Sequence, residues 1–240
     1  MALNDYYPEP AILVKRELAV LDFMRNQPYI KERHPQFALD AEKYFERNRS
    51  IIGGFEFFSW LDVLHSEKRT TRPMRPNTRL AVGARIERQG NAYGNVTYCL
   101  AVCSTRSLAV WRKFHFDVLA STEPMQRRQP HPRFHIQYCG EFVPDMERMG
   151  VRRNQLKPLH PELSEPRILT WPMSLALIID MALHEFPDQK STKFRSTPEW
   201  RGIIRVHETT FLRPFFERCL QLIKSRDRST PTMADALYIA

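Results

Sequence analysis

Residues 111–140 read WRKFHFDVLASTEPMQRRQPHPRFHIQYCG, and this stretch decides the fold. Two runs within it, 113–118 and 133–138, alternate polar with apolar side chains, which is the period of a β-strand with one buried face. In both runs the apolar side chains stand at even numbers and the polar ones at odd numbers. We therefore predict an antiparallel hairpin whose even-numbered residues face the core and whose odd-numbered residues face solvent.

If the hairpin is centred on its loop, the polar residues of both strands meet in one patch. This register predicts four cross-strand pairs: His115 with His135, Asp117 with Arg133, Lys113 with Gln137, and Phe116 with Phe134 on the other face. Cross-strand partners have Cβ atoms about 4.5–5.5 Å apart. The patch would therefore bring together two imidazoles, a carboxylate and two cations.

The same even-numbered alternation occurs upstream, in residues 80–86 and 96–102, with turn-forming residues at 89–95 between them. Together with the hairpin, these runs predict a four-stranded antiparallel β-meander over about 79–140. Because cross-strand partners point to the same side, each connecting loop must hold an odd number of residues for the apolar faces to coincide.

Helices are predicted before the meander. An amphipathic pattern covers residues 11–25, and a second helix is plausible over 36–47. The aromatic-rich run 55–64 suits either a short helix or a strand, and we favour a helix. Residues 68–79 form a basic, proline-bearing linker.

Two further helices are predicted after the meander, beyond an irregular, proline-rich stretch. Residues 173–186 are apolar nearly all round, with Thr170 as the expected N-cap, and should form the most buried helix. The last helix should open at 196–199, where Ser-Thr-Pro-Glu resembles a capping box. Pro214 lies inside its apolar pattern and predicts a kink or a break.

The predicted fold class is thus α+β, with the N-terminal helices and two C-terminal helices packed on one face of the meander. We interpret residues 1–240 as a single domain. Its parts are a helical segment (1–66), the meander (79–140), an irregular loop (141–170), the C-terminal helices (171–226) and a tail (227–240).

Composition favours a basic globular protein. The chain carries 36 Lys and Arg against 27 Asp and Glu, a net charge of +9, and 27 of the cations are Arg. Arg matches phosphate and carboxylate geometry, so the imbalance permits binding to nucleic acid or to an acidic protein. A GC-rich coding sequence and a well-solvated surface would produce the same composition.

Other features bound the compartment and the cofactors. The N-terminus has no signal-peptide pattern, and the longest apolar run is too short for a membrane span. The four cysteines include no CxxC pair, so we interpret them as free thiols of a cytoplasmic protein that contacts no membrane. Phosphate-loop, dinucleotide, zinc and nucleophile-elbow motifs are absent from the sequence, and we predict neither a cofactor nor a metal.

The odd-numbered face of the sheet carries the densest group of titratable and cationic side chains that the sequence predicts. It could simply be solvated, and two histidines with a carboxylate could also hold a metal ion. Our first hypothesis is a basic binding subunit of a bacterial-type assembly that contacts DNA or RNA backbone. The residues expected to do so are Arg79, Arg85, Lys113, Arg127, Arg128, Arg133, Arg152 and Arg153.

Two alternatives belong to other classes of function. One is a metal-independent ribonuclease or toxin-like effector, in which His115 and His135 act as general base and acid and Lys113 stabilises charge on phosphorus. The other is a protein-interaction module that engages a partner protein through the sheet face or the C-terminal tail. The sequence leaves open whether the protein is an enzyme.

Overall fold

A computed structural model describes a little over half of the chain. The described residues are 7–25, 27, 30–32, 52–63, 78–89, 92–104, 110–119, 131–138, 168–185, 189–225 and 238–239.

These residues form an α+β fold built on one antiparallel sheet. Its seven strands lie in the order β1-β2-β3-β4-β5-β7-β8, and a separate two-stranded piece pairs β6 with β9. The strands are β1 (Ile30–Glu32), β2 (Ile52–Val63), β3 (Thr78–Gln89), β4 (Ala92–Ser104), β5 (Val110–Leu119), β6 (His131–Pro132), β7 (Phe134–Tyr138), β8 (Ile168–Leu169) and β9 (Tyr238–Ile239).

The predicted four-stranded meander is confirmed as β3, β4, β5 and β7, at the centre of this larger sheet. Even-numbered residues of these strands are buried, as the alternation predicts, among them Ala84, Tyr98, Phe116 and Phe134. A bulge between Ile86 and Arg88 shifts the β3–β4 register by one residue near the turn. The bulge resolves the parity constraint, because it lets the short β3–β4 connection join two strands whose apolar residues share one face.

The hairpin register differs from the prediction by two residues. His115 lies opposite Gln137, His135 lies opposite Asp117, and Val118 lies opposite Phe134. A slip of two residues preserves the alternation, so the pattern of apolar residues does not distinguish the two registers. A long connecting loop does not fix the register in the way that a two-residue turn does. The predicted pairing of His115 with His135 is therefore wrong.

The described residues include five α-helices and one π-helical segment. They are α1 (Pro10–Arg25), α2 (Leu175–Glu185), α3 (Gln189–Arg195), α4 (Pro198–His207) and α5 (Arg213–Lys224), with the π-helix Glu208–Leu212 between α4 and α5. Helices α1 and α2 contact each other and both contact β3. The helices and the even-numbered face of the sheet share one hydrophobic core, which confirms packing on one face.

The N-terminal segment is less helical than predicted. Helix α1 is confirmed, and the helix expected over 36–47 lies outside the described residues. The helix favoured over 55–64 is wrong, because residues 55–63 belong to β2, which pairs with β3 along ten positions. The aromatic residues of Phe55–Trp60 suit a strand as well as a helix, and pairing with the edge of β3 decides the outcome.

The start of α2 departs from the prediction, whereas α4 begins at Pro198, within the predicted 196–199. Thr170 is not the N-cap of α2, because the helix begins at Leu175 and Ser174 accepts a hydrogen bond from the backbone N–H of Leu177 (3.4 Å). Thr197 caps α4 and accepts from the backbone N–H of Trp200 (3.3 Å). The break expected at Pro214 is present as the π-helix, and Pro214 lies in the first turn of α5.

The last described residues belong to the C-terminal tail. Tyr238 and Ile239 of the tail pair with β6, so this part of the tail docks on its own chain. None of the described helices has the length and the apolar character needed to cross a membrane. The single-domain interpretation stays a prediction.

Candidate functional site

The polar cluster on β5 and β7 is the first candidate site, because the sequence predicts that titratable and cationic side chains meet there. Four of its side chains lie in the described residues: His115, Asp117, Arg133 and His135. Their surroundings differ from the expected solvated face, since His115 is 7%, Arg133 6% and His135 1% exposed. The prediction that the two imidazoles project from a wet surface is wrong.

His135 is fixed by acceptors on both sides of its ring. Its Nε2 lies 3.2 Å from Oδ2 of Asp117, and its Nδ1 lies 3.1 Å from the backbone carbonyl oxygen of Pro132. A carbonyl oxygen only accepts, and so does an ionised carboxylate. Both ring nitrogens of His135 therefore face oxygen acceptors.

The state of Asp117 agrees with this arrangement. Burial by itself would raise the pKa of Asp117, but hydrogen bonds from His135 and Thr97 and the nearby charge of His115 bring it below its ordinary value. Asp117 is therefore held as a carboxylate, and its contact with His135 is an ion pair whenever the imidazole is protonated. Both ring nitrogens of His135 are engaged by neighbouring groups of the fold, so this geometry does not give His135 the role of general base.

His115 is displaced from His135 along the sheet. The two residues are diagonal neighbours in the β5–β7 register, and a diagonal pair is about 7–8 Å apart rather than in direct cross-strand contact. The paired arrangement expected for acid–base catalysis is therefore not formed by the register itself.

Arg133 is buried in the bend between β6 and β7. It does not lie opposite Asp117, whose cross-strand partner is His135. Its Nε and Nη1 atoms are buried and have no hydrogen-bond acceptor in the part of the chain that the structure describes. The expected exposure of Arg133 is therefore wrong, and its contact with nucleic-acid backbone stays a prediction.

The other residues expected at a nucleic-acid surface are not brought into this cluster by described contacts. Arg79 and Arg85 stand at odd-numbered positions of β3, where the backbone register places Glu56 opposite Arg85. Lys113 stands opposite Ala101 in β4. For these three residues the structure describes the backbone and not the side chain. Four other predicted contacts lie wholly outside the described residues, namely Arg127, Arg128, Arg152 and Arg153.

A second candidate site is a cleft of about 400 Å³ on the helical side of the molecule. Its lining residues come from α2, α3, α4 and the π-helix: Asp180, Thr192, Arg195, Ser196, Trp200, Arg201, Ile204, Arg205 and Glu208. Three of them are arginines. The cleft is therefore a place where several guanidinium groups converge.

Asp180 organises one wall of this arginine cleft. Its two carboxylate oxygens accept from Nε and Nη2 of Arg195 (2.8 and 2.9 Å), and Oδ1 also accepts from Nε1 of Trp200 (2.8 Å). Nη1 of Arg195 lies 2.8 Å from Nδ1 of His184. Burial would raise the pKa of Asp180, but the bonds from Arg195 and Trp200 lower it. Arg195 is thereby held in one orientation.

The cleft is also lined by two arginines that form no ion pair in the described part of the chain. Arg201 and Arg205 are exposed on α4, four residues apart and so on one side of the helix. Neither makes an ion pair within the described part of the chain. They are available to an anionic ligand.

A third polar cluster is buried beneath α2. Glu17 of α1 is fully buried; it accepts from the hydroxyl of Tyr98 (2.6 Å) and from the backbone N–H of Leu175 (3.2 and 3.1 Å to its two oxygens). Burial raises the pKa of Glu17 to about 7, against lowering by these two donors. Glu17 therefore occupies the N-terminus of α2, where the helix leaves its first N–H groups without partners.

A buried histidine extends the same region. Nδ1 of His207 lies 2.9 Å from Oγ of Ser174, the N-cap of α2, and its ring stacks on Phe211. Burial lowers the pKa of His207 to about 4, and the charge of Arg16 adds to this. The neutral ring accepts a hydrogen bond from the hydroxyl of Ser174. This Ser–His contact is closed off from solvent and serves the start of the helix.

Sequence reasoning missed the second and third clusters. Glu17 stands inside the apolar stripe of α1, four residues after Leu13 and four before Leu21, and a charge in such a position is a signal of a buried partner. The cleft had a weaker signal, namely the repeated arginines of 195–205.

No group of three His, Cys, Asp or Glu in the described part of the chain is placed to share a metal ion. Comparison with protein-family models, with curated proteins and with solved structures finds no match for this chain.

Proposed function

We propose that this protein is a non-enzymatic, basic binding subunit of a larger assembly, and that it contacts the phosphate backbone of nucleic acid. The surface that we assign to this contact is the arginine cleft between α2 and α4. The single observation that supports the proposal best is the pair of exposed, unpaired guanidinium groups of Arg201 and Arg205 beside the oriented guanidinium of Arg195.

The distribution of charge supports this surface. Residues 189–225 contain eight Lys and Arg against three Glu, so they carry five of the nine net positive charges of the chain. Asp180 and Glu208 lie in the cleft as well, but Asp180 is already neutralised by Arg195. The cleft therefore keeps a positive surplus within a strongly basic helical layer, which attracts a polyanion.

The geometry also suits a repeating anion. Arg201 and Arg205 are separated by about 6 Å along the axis of α4, at a rise of about 1.5 Å per residue. A helix that presents two guanidinium groups in a row meets successive phosphates through charge-assisted hydrogen bonds and needs no contact with the bases. We expect binding with little dependence on sequence.

The salt dependence of binding tests the proposal. A fluorescent DNA duplex, and in parallel an RNA strand, are titrated with the full chain by polarisation at several salt concentrations. Each duplex phosphate that is neutralised contributes about −0.9 to the slope of log affinity against log salt. The double variant R201Q/R205Q should therefore lose affinity and have a slope that is less negative by about 1.8.

A matched variant removes the same charge elsewhere. Lys15 of α1 and Lys224 of α5 are exposed and do not line the cleft, so K15Q/K224Q should leave the slope nearly unchanged. Equal losses in the two double variants would show a diffuse effect of net charge and contradict the assigned surface. A flat salt response of the unmodified protein would contradict backbone binding altogether.

A second candidate function, a protein-interaction module, is favoured by a separate observation on α5. Phe216, Leu220 and Ile223 are 51%, 49% and 66% exposed, and their spacing places them on one side of the helix. Exposed apolar side chains in a row indicate a docking face. The same helix carries Arg213, Arg218 and Lys224 against one Glu217.

Charge identifies the partner that this stripe would accept. A second copy would bring like cations together, whereas an acidic amphipathic helix would complement both the stripe and its cations. A synthetic peptide with Leu on one face and Glu on the others should bind the unmodified chain at least tenfold more tightly than F216S/I223S. Equal binding of a scrambled peptide, or dimerisation of the chain through this stripe, would contradict the assignment.

A further inference from the structure

We infer that Arg133 forms a second, separate anion site, which binds one small oxyanion such as a phosphate group. This inference goes beyond the proposed backbone contact, because Arg133 lies on the β6–β7 bend and the arginine cleft is built by α2–α4. It starts from an unusual observation, a guanidinium group that is 6% exposed and whose Nε and Nη1 lack acceptors within the described structure.

The described neighbours do not supply the missing acceptor. Asp117 is the acidic residue of this cluster, and its carboxylate is engaged by His135 at 3.2 Å and by the hydroxyl of Thr97. The carbonyl oxygen of Pro132, next to Arg133 in the chain, accepts from His135 instead. Both acceptors are thus engaged by other donors, and Nε and Nη1 of Arg133 meet neither of them.

A buried cation whose donors lack acceptors is costly. The guanidinium group does not lose its proton in proteins, so it cannot escape the penalty by becoming neutral. An isolated buried charge is far less favourable than one that is paired and hydrogen-bonded. An anion with oxygen acceptors at Nε and Nη1 would supply both the hydrogen bonds and the negative charge that Arg133 lacks.

The surroundings favour a small oxyanion over a long polyanion. Arg133 is nearly enclosed, and the neighbouring Asp117 side chain is 18% exposed, so only a narrow part of the cluster is open to solvent. Such access is too narrow for a continuous nucleic-acid backbone, so a single small anion is favoured. Phosphate also offers several acceptor oxygens at once, which matches the donors of arginine better than a halide does.

Titration of the full chain with inorganic phosphate, and separately with sulfate, tests the inference. Calorimetry of R201Q/R205Q, which lacks the phosphate contacts proposed for the cleft, should give a single site in chloride buffer of matched ionic strength, and phosphate should raise the melting temperature progressively as its concentration increases. Adding R133M to this variant should abolish both responses. R133K, which keeps the charge and loses the planar fork, should bind phosphate at least tenfold more weakly.

Control variants separate this site from the cleft. R201Q/R205Q should keep the phosphate response while it loses duplex binding, and R133M should do the reverse. The inference is overturned if the unmodified chain binds neither anion, a result that needs no variant to fold. It is also overturned if phosphate stabilises R133M as much as the unmodified chain, or if R133M is more stable than that chain even in saturating phosphate.

Discussion

Replacing Glu17 by Gln is expected to change how the stability of the protein depends on pH. Glu17 is protonated more readily in the folded state, where its pKa is about 7, than in the unfolded chain, where the ordinary value is 4.5. As the pH rises from 4.5 to 7, the unfolded chain releases this proton and the folded chain holds it. The free energy of unfolding therefore falls, by about 3 kcal/mol at about 1.4 kcal/mol per pH unit.

His207 has the opposite effect over nearly the same range. Its pKa is about 4 in the folded state and 6.5 ordinarily, so the unfolded chain binds the extra proton. The free energy of unfolding rises by about 3 kcal/mol as the pH rises from 4 to 6.5. Glu17 and His207 thus nearly cancel between pH 4.5 and 6.5, and the contribution of either one is hidden in the unmodified protein.

Removing one group should reveal the other. In E17Q the free energy of unfolding should rise by about 3 kcal/mol more from pH 4.5 to 6.5 than in the unmodified chain, because His207 is no longer opposed. H207Q should show the reverse slope. Gln at position 17 still offers a carbonyl oxygen to Tyr98 and Leu175, so the fold should persist.

Urea unfolding at pH 4.5, 5.5, 6.5 and 7.5, followed by the fluorescence of the tryptophans, measures this difference. Trp200 is fully buried and reports on the helical core. Only slopes relative to the unmodified chain are compared, so that all other titrating groups cancel. If E17Q follows the same pH dependence as the unmodified protein, the carboxylate is ionised in the fold at ordinary pH and the reasoning fails.

Three further predictions concern stability. D180N should lower the free energy of unfolding by about 1–3 kcal/mol, because Arg195 loses a two-oxygen acceptor; an unchanged urea midpoint would contradict this. F134A should lower the free energy of unfolding by about 3–5 kcal/mol, since Phe134 is fully buried and its ring centroid lies 5.4 Å from that of Phe215. F134L should lower it clearly less. Equal losses of stability in calorimetric melting would exclude a cavity effect. T197A should cost about 1 kcal/mol and T197S almost nothing, as judged by denaturant midpoints; a similar loss in both would show that the hydroxyl does not cap α4.

The meander could be predicted from the sequence because alternation is a local signal. Ala84, Tyr98 and Phe116 show it in three different strands, and all three are buried as expected. The hairpin register could not be predicted, since a shift by two residues leaves every side chain on its own face. That shift moves Asp117 from Arg133 to His135, and it changes the chemistry of the cluster without changing the fold.

The candidate sites were predictable only where one element supplies the residues. Arg201 and Arg205 belong to one helix, and their spacing alone places them together. Glu17, Tyr98 and Leu175 come from α1, β4 and α2, so their contact depends on how three elements pack. Local patterns carry no information on such packing, although a charge within an apolar stripe indicates that some partner exists.

The two buried charges Glu17 and Arg133 are treated differently by the fold, and the difference supports an external partner for Arg133. Glu17 accepts hydrogen bonds from the hydroxyl of Tyr98 and from the backbone N–H of Leu175 at the positive end of α2. Its carboxylate can also take up a proton. Arg133 has neither remedy: its Nε and Nη1 have no acceptor in the described residues, and a guanidinium group stays charged. A chain that satisfies one buried charge from three elements has the means to satisfy a second. Since it leaves Arg133 without an acceptor at these atoms, a bound anion explains the arrangement better than the packing of the chain alone.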